Sequence, residues 1–184
     1  MPDAAIDACC LIDLLASGEA EEILRASGFT WNLPAAVQAE VHYRRVHDPA
    51  QPGQTIMVPV DLSPMIGAGL LTVCGPQTQQ ELDQFTQYAT IFRSDGEAMC
   101  LAIAGERKWI VATDDRRAIR IAHQAGLTVV SSPELVKAWA DATSPDQVAL
   151  ERVLQDIQVL AQFKPNPTMP EFQWWVDEAA KTGP

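Results

Sequence analysis

The sequence predicts an α/β fold, a three-layer sandwich in which a central, mostly parallel sheet is flanked by helices. Short apolar runs, each long enough for a buried strand, alternate with helical apolar patterns along residues 4–143. Such alternation is typical of parallel strands joined by right-handed helical crossovers. The clearest unit lies at 94–117, where a helix precedes a short apolar run that ends in two acids. We therefore expect one domain over 1–143, followed by a helical extension over 144–184 that packs on this domain or on a partner.

The first half of the domain opens with a strand, an acid and a helix. The apolar run at 4–6 is followed directly by Asp7, and apolar residues then recur at helical spacing until Ser17-Gly18 interrupts them. Pro34 suits the first turn of a later helix. The other elements expected here are a helix at 19–26, a strand at 29–33, a helix at 34–41, a loop at 47–55, a strand at 56–60, a helix at 62–68, an extended piece at 70–73 and a helix at 78–88.

The second half is organised around the helix that begins near Ser94. Ser94 or Asp95 can cap this helix, since a side-chain oxygen there accepts from free backbone N–H groups. From Ser144, the letters S-P-D-Q predict a capping box that opens another helix. The other elements expected are strands at 109–112 and 127–130, helices at 118–126 and 132–139, a rigid linker at 164–170 and a terminal helix, capped by Thr168, that carries dense aromatic residues.

The composition narrows the classes of function. Of the 184 residues, 47% are apolar and 20% are charged, which is ordinary for a globular domain. The net charge of −11 disfavours general nucleic-acid binding, because phosphate contacts dominate that affinity. The objection is weaker where acids are gathered around divalent cations, which neutralise them. No apolar run approaches the ~18 residues of a membrane span, and no signal peptide is recognisable, so we expect a cytoplasmic protein with no membrane segment.

The cysteines indicate a reducing compartment. Cys9, Cys10, Cys74 and Cys100 show no C-x-x-C spacing and lie in apolar runs. Cysteines in such surroundings are typical of reduced core residues in a cytosolic protein. We therefore expect neither disulfides nor a zinc site.

Acids are expected at the carboxyl ends of strands or on the helix faces beside them. They are Asp7, Glu40, Glu97 and Asp115, with Asp95 and Asp114 as neighbours. Clustered carboxylates repel one another strongly at low dielectric, so such a cluster persists only with cations. Hard oxygen ligands suit Mg²⁺ or Mn²⁺, which can activate a water and stabilise the charge on a phosphodiester.

Each of these residues also has a simpler interpretation. Asp7 can merely cap the first helix, and Glu40 can be a solvated helix residue. Asp13 points away from the apolar stripe of its helix, and we expect it in solvent. The arginines that open the helix beside the acids are candidates for phosphate contact, although they can equally form a solvated face. They are Arg116, Arg117 and Arg120.

The order of motifs along residues 4–140 resembles that of the PIN-domain family. The matching segments are I-D-A-C-C-L-I-D-L-L, L-P-A-A-V-Q-A-E-V, D-G-E-A-M-C-L-A-I-A and I-V-A-T-D-D-R-R-A. The resemblance implies a parallel sheet flanked by helices, and Mg²⁺- or Mn²⁺-dependent cleavage of RNA. Many members are toxins of bacterial toxin–antitoxin pairs. The resemblance therefore implies RNA as the substrate and allows an antitoxin as a partner, while the oligomeric state, a homodimer included, stays open.

The resemblance also assigns the acids of the family to this chain. In chain order they correspond to Asp7, Glu40, Glu97 with its neighbour Asp95, and Asp115 with Asp114 assisting. The last assignment follows from the Thr-x-Asp pattern at the end of the family's strand, which residues 113–115 match. Cys9 stands where the family often has Ser, Thr or Asn, and a thiol is a weaker hydrogen-bonding group. The extension beyond 143 has no counterpart in the core motif.

Two other classes of function compete with a ribonuclease. A non-catalytic interaction module would keep the acids, bind metal without turnover and use the aromatic tail to bind a partner. An Asp-based phosphotransfer enzyme or receiver is the other alternative. A dehalogenase-type site needs D-x-D after the first strand, whereas the sequence here is Asp7-Ala8-Cys9. A receiver needs a late lysine at a strand end, whereas Lys137 lies within an expected helix.

Overall fold

The computed structural model describes residues 1–181 and confirms the predicted fold class, with a parallel sheet between layers of helices. In this range the strands are β1 (Asp3–Ile6), β2 (Thr30–Pro34), β3 (Tyr43–His47), β4 (Thr55–Pro59), β5 (Leu71–Cys74), β6 (Ile110–Ala112) and β7 (Val129–Val130). The helices are α1 (Ala8–Ala16), α2 (Ala20–Ala26), α3 (Ala35–Gln38), α4 (Ser63–Gly67), α5 (Gln79–Ala89), α6 (Asp95–Arg107), α7 (Arg116–Gln124), α8 (Ser132–Thr143), α9 (Gln147–Leu160) and α10 (Phe172–Ala180). The end of the expected extension, 182–184, lies outside the described residues.

The central sheet has the strand order β5-β2-β1-β6-β7, and every neighbouring pair is parallel. The central strand β1 is apolar and fully buried from Ala4 to Ile6, as expected for a strand covered on both faces. Its register pairs Ile6 with Ala112 of β6. The N–H of Asp7 then donates to the Ala112 carbonyl oxygen at 2.9 Å. The residues that follow β1 and β6 therefore meet at one edge of the sheet.

Two groups of helices cover this sheet. In one group α1 contacts α2, α8 and α9, and in the other α6 contacts α3, α5 and α7. Leu11 and Leu14 of α1 and Leu101 of α6 are fully or almost fully buried in the same core. Ala98 and Ala102 of α6 are fully buried as well, and their small size lets this helix lie close to the sheet. No helix among these residues has both the length and the apolar character that a membrane-spanning segment needs.

A separate hairpin of β3 and β4 departs from the sequence prediction, which gives only its second strand. The two strands pair antiparallel, from Tyr43 opposite Pro59 to His47 opposite Thr55. Contacts with other elements hold β3 in place. Arg44 Nη1 donates to the Leu15 carbonyl oxygen at 2.6 Å, and His47 Nε2 lies 2.8 Å from Asp156 Oδ1. Because these contacts are distant in sequence, the local pattern of β3 does not reveal the strand.

Two helix starts in the extension differ from the prediction. Ser144 does not open α9; it ends α8 in a left-handed conformation with φ 48°. Asp146 caps α9 instead, because its carboxylate accepts from the N–H of Ala149 at 2.8 Å. Thr168 does not cap α10 either, since its N–H donates to Asn166 Oδ1 in the turn before the helix.

The extension contributes apolar side chains to the main core. Ile157 of α9 and Trp175 of α10 are fully buried in the same cluster as the sheet. The Trp175 ring meets Phe163 edge to face, with the ring centroids 5.6 Å apart. By contrast, Trp174 is only half-buried, and the Lys137 ammonium lies 5.9 Å from its ring centroid. The aromatic tail therefore packs on its own chain, with Trp175 fully inside the core and Trp174 at its edge.

Replacement of Trp175 is expected to destabilise the whole domain. Trp175→Ala removes a fully buried ring and leaves a cavity, which costs about 3–5 kcal/mol of unfolding free energy. Trp174→Ala is the matched control and should cost less than half as much, because that ring is half-buried. Urea unfolding followed by circular dichroism measures both. Equal costs, or no cost for Trp175→Ala, would show that α10 is not part of the cooperative fold.

Candidate functional site

Asp7 lies at the carboxyl end of β1 and caps α1. Its Oδ1 accepts from the N–H of Ala8 at 2.7 Å, and its Oδ2 accepts from Thr113 Oγ1 at 2.9 Å and from Cys9 Sγ at 3.1 Å. Burial raises the pKa of Asp7, while these hydrogen bonds oppose the rise. Burial also holds the pKa of the Cys9 thiol well above its usual value, so the thiol stays protonated and can donate. Asp7 is thus both a helix cap and a buried acid.

Asp115 occupies the equivalent place after β6. It is the N-cap of α7, and its Oδ1 accepts from the N–H of Ala118 at 2.7 Å. Its own N–H donates to Thr113 Oγ1 at 3.3 Å. The Thr113 hydroxyl therefore links the two acids, because it donates to the Asp7 carboxylate and accepts from the N–H of Asp115.

Glu97 shows that the four acids predicted as the main ligands lie close together. It is half-buried in the first turn of α6. Its pKa is raised to about 7, first by burial and then by the negative charges of Asp7, Asp115 and Glu40, with Arg117 opposing the rise. The negative charges of these three carboxylates therefore act on Glu97 at the edge of the sheet. The cluster of Asp7, Glu40, Glu97 and Asp115 is called the acid cluster below.

Glu40 reaches the acid cluster from the turn after α3 and binds the start of α6. Its carboxylate accepts from Ser94 Oγ and from the N–H of Gly96, each at 2.8 Å. Ser94 caps α6, as predicted, by accepting from the N–H groups of Gly96 and Glu97. A Cβ atom at position 96 would lie 2.6 Å from Glu40 Oε2. Glycine is therefore needed for this contact, a role that sequence reasoning missed.

The remaining predicted residues lie at the periphery. Asp95 is exposed, and its side chain forms no hydrogen bond or ion pair with another residue within 1–181. The predicted arginines are exposed on α7. Arg117 is the one whose charge acts on Glu97, and its guanidinium lies 5.9 Å from the centroid of the Phe92 ring.

Asp13 is buried, and its prediction as a solvated residue is wrong. It is 5% exposed and faces Asp114, whose Oδ2 accepts from the Ser132 hydroxyl and whose Oδ1 accepts from the Ser132 N–H at 3.0 Å. Burial and then the Asp114 charge raise the pKa of Asp13 to about 9. The bond between the two acids raises the pKa of Asp13 and opposes the burial-driven rise at Asp114, so protonated Asp13 donates to ionised Asp114. The amphipathic pattern failed because Cys10, Leu11 and Leu14 bury α1 on several sides.

A cavity of about 460 Å³ opens beside the acid cluster. The domain contributes Glu97, Asp114 and Asp115 to its lining. The segment between α9 and α10 contributes other side chains, among them Phe163, Lys164 and Met169. A larger cavity of about 570 Å³ lies elsewhere, between the start of α2 and the base of the hairpin, and none of the predicted site residues lines it. The extension therefore forms one wall of the space in front of the acids.

The acid cluster has the ligand chemistry of a hard divalent cation, but its oxygens are engaged in other bonds. Carboxylate oxygens are the ligands that Mg²⁺ and Mn²⁺ prefer, and the charges of three neighbouring carboxylates add to the effect of burial in raising the pKa of Glu97. Among residues 1–181, no three Asp, Glu, His or Cys side chains are arranged so that they could hold a metal ion as they stand. Glu40 and Asp115 are turned towards the helix starts that they cap.

Comparisons with known proteins assign no family to this chain. No protein-family model matches the sequence, and no curated protein matches it either. The likeness to PIN domains is therefore confined to the order of short motifs. Inference about function depends on the geometry of the acids and of the groups around them.

Replacement of Asp13 is expected to flatten the pH dependence of stability. The folded-state pKa of Asp13, about 9, lies above the ordinary value of 3.8. Its contribution to the stability of the fold is therefore complete below about pH 4 and is lost as the pH rises towards 9. In that window, ionisation of Asp13 lowers the free energy of unfolding by up to about 1.4 kcal/mol per pH unit. Asp13→Asn keeps a donor to Asp114 without the charge, and its unfolding free energy should fall less steeply from about pH 5 to about pH 8.

Urea unfolding with chelator, repeated across that pH range, measures the effect. Asp83→Asn is the control, because Asp83 is exposed on α5 and accepts from Gln79 Nε2 at 2.9 Å. Parallel stability curves for wild type and Asp13→Asn would contradict the assignment of a buried, protonated Asp13.

Proposed function

We propose that this chain is a divalent-metal-dependent endoribonuclease that hydrolyses RNA phosphodiesters with Mg²⁺ or Mn²⁺. The observation that carries the proposal is the placement of the acids at one edge of the sheet. Thr113 Oγ1, directly after β6, donates to Asp7 Oδ2, directly after β1, at 2.9 Å. The Glu40 carboxylate accepts from the N–H of Gly96, next to Glu97, at 2.8 Å. Four carboxylates that repel one another at the carboxyl edge of a parallel sheet favour a cation, and ligands bind at that edge in open α/β sheets. The motif order described above supports the same function.

In this proposal the acid cluster holds the metal, and Asp114 and Asp95 assist. A bound divalent ion would supply activation of a water and neutralisation of the charge on the phosphodiester. Thr113 and Cys9 keep the Asp7 carboxylate oriented through their hydrogen bonds to Oδ2. Glu40 and Asp115 would exchange capping bonds for metal ligation, which makes metal affinity and the stability of the starts of α6 and α7 interdependent.

The arginines of α7 supply local positive charge on a chain of net charge −11. Arg116, Arg117 and Arg120 are exposed at the start of the helix that Asp115 caps. Their guanidinium groups can hold the phosphates on either side of the scissile bond, since arginine binds phosphate oxygens in a bidentate manner. Nucleic-acid affinity would therefore come from α7 rather than from the overall charge.

A non-catalytic, PIN-like metal-binding interaction module is the second candidate. It is favoured by the tight engagement of Glu40, which accepts from both Ser94 and Gly96, and by the lack of a preformed three-residue ligand set within residues 1–181. Such a module would bind Mn²⁺ without turnover. A role as the toxin of a toxin–antitoxin pair, a homodimer and a cytoplasmic location stay predictions, and an adjacent gene for a small DNA-binding protein would support the first.

Replacement of Asp115 by Asn is expected to abolish RNA cleavage without unfolding the protein. The Asn side-chain oxygen can still accept from the N–H of Ala118 and cap α7, while the negative charge is lost. Wild type should cleave one or more RNAs of a panel of single-stranded and structured molecules with Mg²⁺ or Mn²⁺, but not with chelator.

The control is Asp141→Asn, at the end of α8, where Asp141 pairs with Lys137 on the surface. It should cleave as wild type does. Cleavage by Asp115→Asn at the wild-type rate would refute the proposed site. No cleavage in any lane by protein that binds Mn²⁺ in calorimetry would favour the interaction module.

The arginines of α7 are expected to set the salt dependence of RNA binding. Each contact with a phosphate of a single strand contributes about 0.7 to the slope of log affinity against log salt. Replacement of Arg117 and Arg120 by Ala together should reduce that slope by about 1.4 if both touch phosphates. Arg25→Ala, on the exposed surface of α2 where Arg25 pairs with Glu21, is the matched control. An unchanged slope in the double variant would place the RNA elsewhere.

A further inference from the structure

A second cavity lies next to the space in front of the acids. It has a volume of about 220 Å³, which is below the ~300–1,000 Å³ of pockets for drug-sized ligands. Arg116, Asn166 and Met169 line both this cavity and the larger one at the acid cluster. The two cavities are therefore neighbours that share Arg116 as a boundary, and the smaller one is called the α7 pocket below.

The walls of the α7 pocket are apolar on three elements. Ile119 comes from α7, Val129 from β7, and Met169 from the segment before α10. Met169 is held in place because its N–H donates to the Asn166 carbonyl oxygen at 2.8 Å. Its sulfur in turn accepts from the N–H of Asn166 at 3.3 Å. These two bonds fix the turn that carries Met169, which lowers the cost of ordering this wall when a ligand binds.

Polar side chains complete the lining: Arg116, His123, Ser131, Glu134, Asn166 and Thr168. The side-chain oxygen of Asn166 accepts from the N–H and the hydroxyl of Thr168. The side-chain nitrogen of Asn166 has no acceptor among residues 1–181, so it can still donate to a ligand. Glu134 Oε2 accepts from the N–H and the hydroxyl of Ser131. The other oxygen of Glu134 accepts no hydrogen bond from this part of the chain. The pocket therefore offers apolar walls together with a donor and an acceptor.

We propose that the α7 pocket binds one unpaired nucleobase of RNA, next to the phosphodiester that lies at the acid cluster. This inference rests on the proposed ribonuclease function and specifies its substrate class. A nucleobase is a flat, mostly apolar ring with donors and acceptors on its edge, and unpaired bases are recognised by such combinations of packing and hydrogen bonds. Arg116, at the junction of the two cavities, would hold the intervening phosphate.

The geometry points to RNA that is single-stranded, or in a loop, at the cut site. A paired base could enter the α7 pocket only after its pair had opened, which costs energy. Asn166 and Met169 belong to the extension, so the extension would select the substrate as well as complete the fold. Ile119 and Met169 are in this sense specificity residues and not catalytic ones.

The test uses the full-length Asp115→Asn protein with Mn²⁺ and a fluorescently labelled, short single-stranded RNA. A series of variants of this RNA is prepared, each lacking the base at one position. Fluorescence anisotropy gives the affinity of the protein for each variant. Loss of the base at one position is expected to weaken binding about tenfold. Ile119→Trp, which fills the pocket, should weaken binding of the intact RNA similarly and remove the difference between intact and abasic RNA. Val159→Trp, on an exposed position of α9, is the matched control and should preserve that difference.

The wild-type protein, tested for cleavage of the same set, separates failure of this inference from failure of the proposed function. Cleavage that is equally fast for every abasic RNA, or an abasic difference that persists in Ile119→Trp, would overturn the base pocket and leave the nuclease intact. Should Ile119→Trp not fold, Met169→Ala takes its place with the same expected loss of the difference. A position-specific abasic effect without cleavage would support the pocket and overturn the nuclease. If the protein neither binds nor cleaves the RNA, both proposals are overturned.

Discussion

The parallel pairing of β1 with β6 is the constraint on which the candidate site depends. Because of this pairing, the N–H of Asp7 donates to the Ala112 carbonyl oxygen at 2.9 Å. The Thr113 hydroxyl donates to the Asp7 carboxylate, also at 2.9 Å, although the two residues are 106 positions apart in sequence. The acids that follow the two strands repel one another, and hydrogen bonds alone would not hold them together. The fully buried Ile6 and Ala112 directly beneath them keep the strand ends in register. The apolar core therefore stabilises an arrangement of charge that is unfavourable in itself.

Three helix starts share the task of accommodating that charge. Asp7 caps α1, Asp115 caps α7, and Glu40 accepts from the first turn of α6. Free N–H groups and the helix dipole favour an anion at each of these positions. Behind them, Asp13 solves the same problem by staying protonated against Asp114. A divalent cation at the acid cluster would compete with the helix starts for the same oxygens, so metal binding would rearrange bonds that now stabilise the fold.

Sequence reasoning reached the fold and the acids that follow strands, because both depend on local patterns. An acid directly after a buried apolar run lies at the sheet edge whatever the rest of the chain does, which is why Asp7 and Asp115 were predictable. The need for glycine at position 96 was not, since it follows from the Glu40 side chain, which reaches α6 from the turn after α3. The prediction that Asp13 lies in solvent was wrong for a related reason. The amphipathic pattern assumes one solvated helix face, whereas the neighbours of α1 in space, α2, α8 and α9, cover that face with groups such as Ser132.

The extension links the stability of the domain to the shape of its site. Trp175 and Ile157 anchor α10 and α9 in the core, and the segment between these helices stands beside Asp114 and Asp115 as a wall. That wall cannot move far without withdrawing a fully buried ring from the core, so the cavity keeps its width. On a chain with a net charge of −11, a polyanion can approach only where local cations outweigh the overall field. The acid cluster with a divalent ion bound, flanked by the arginines of α7, would be such a place, with the extension as one wall beside it.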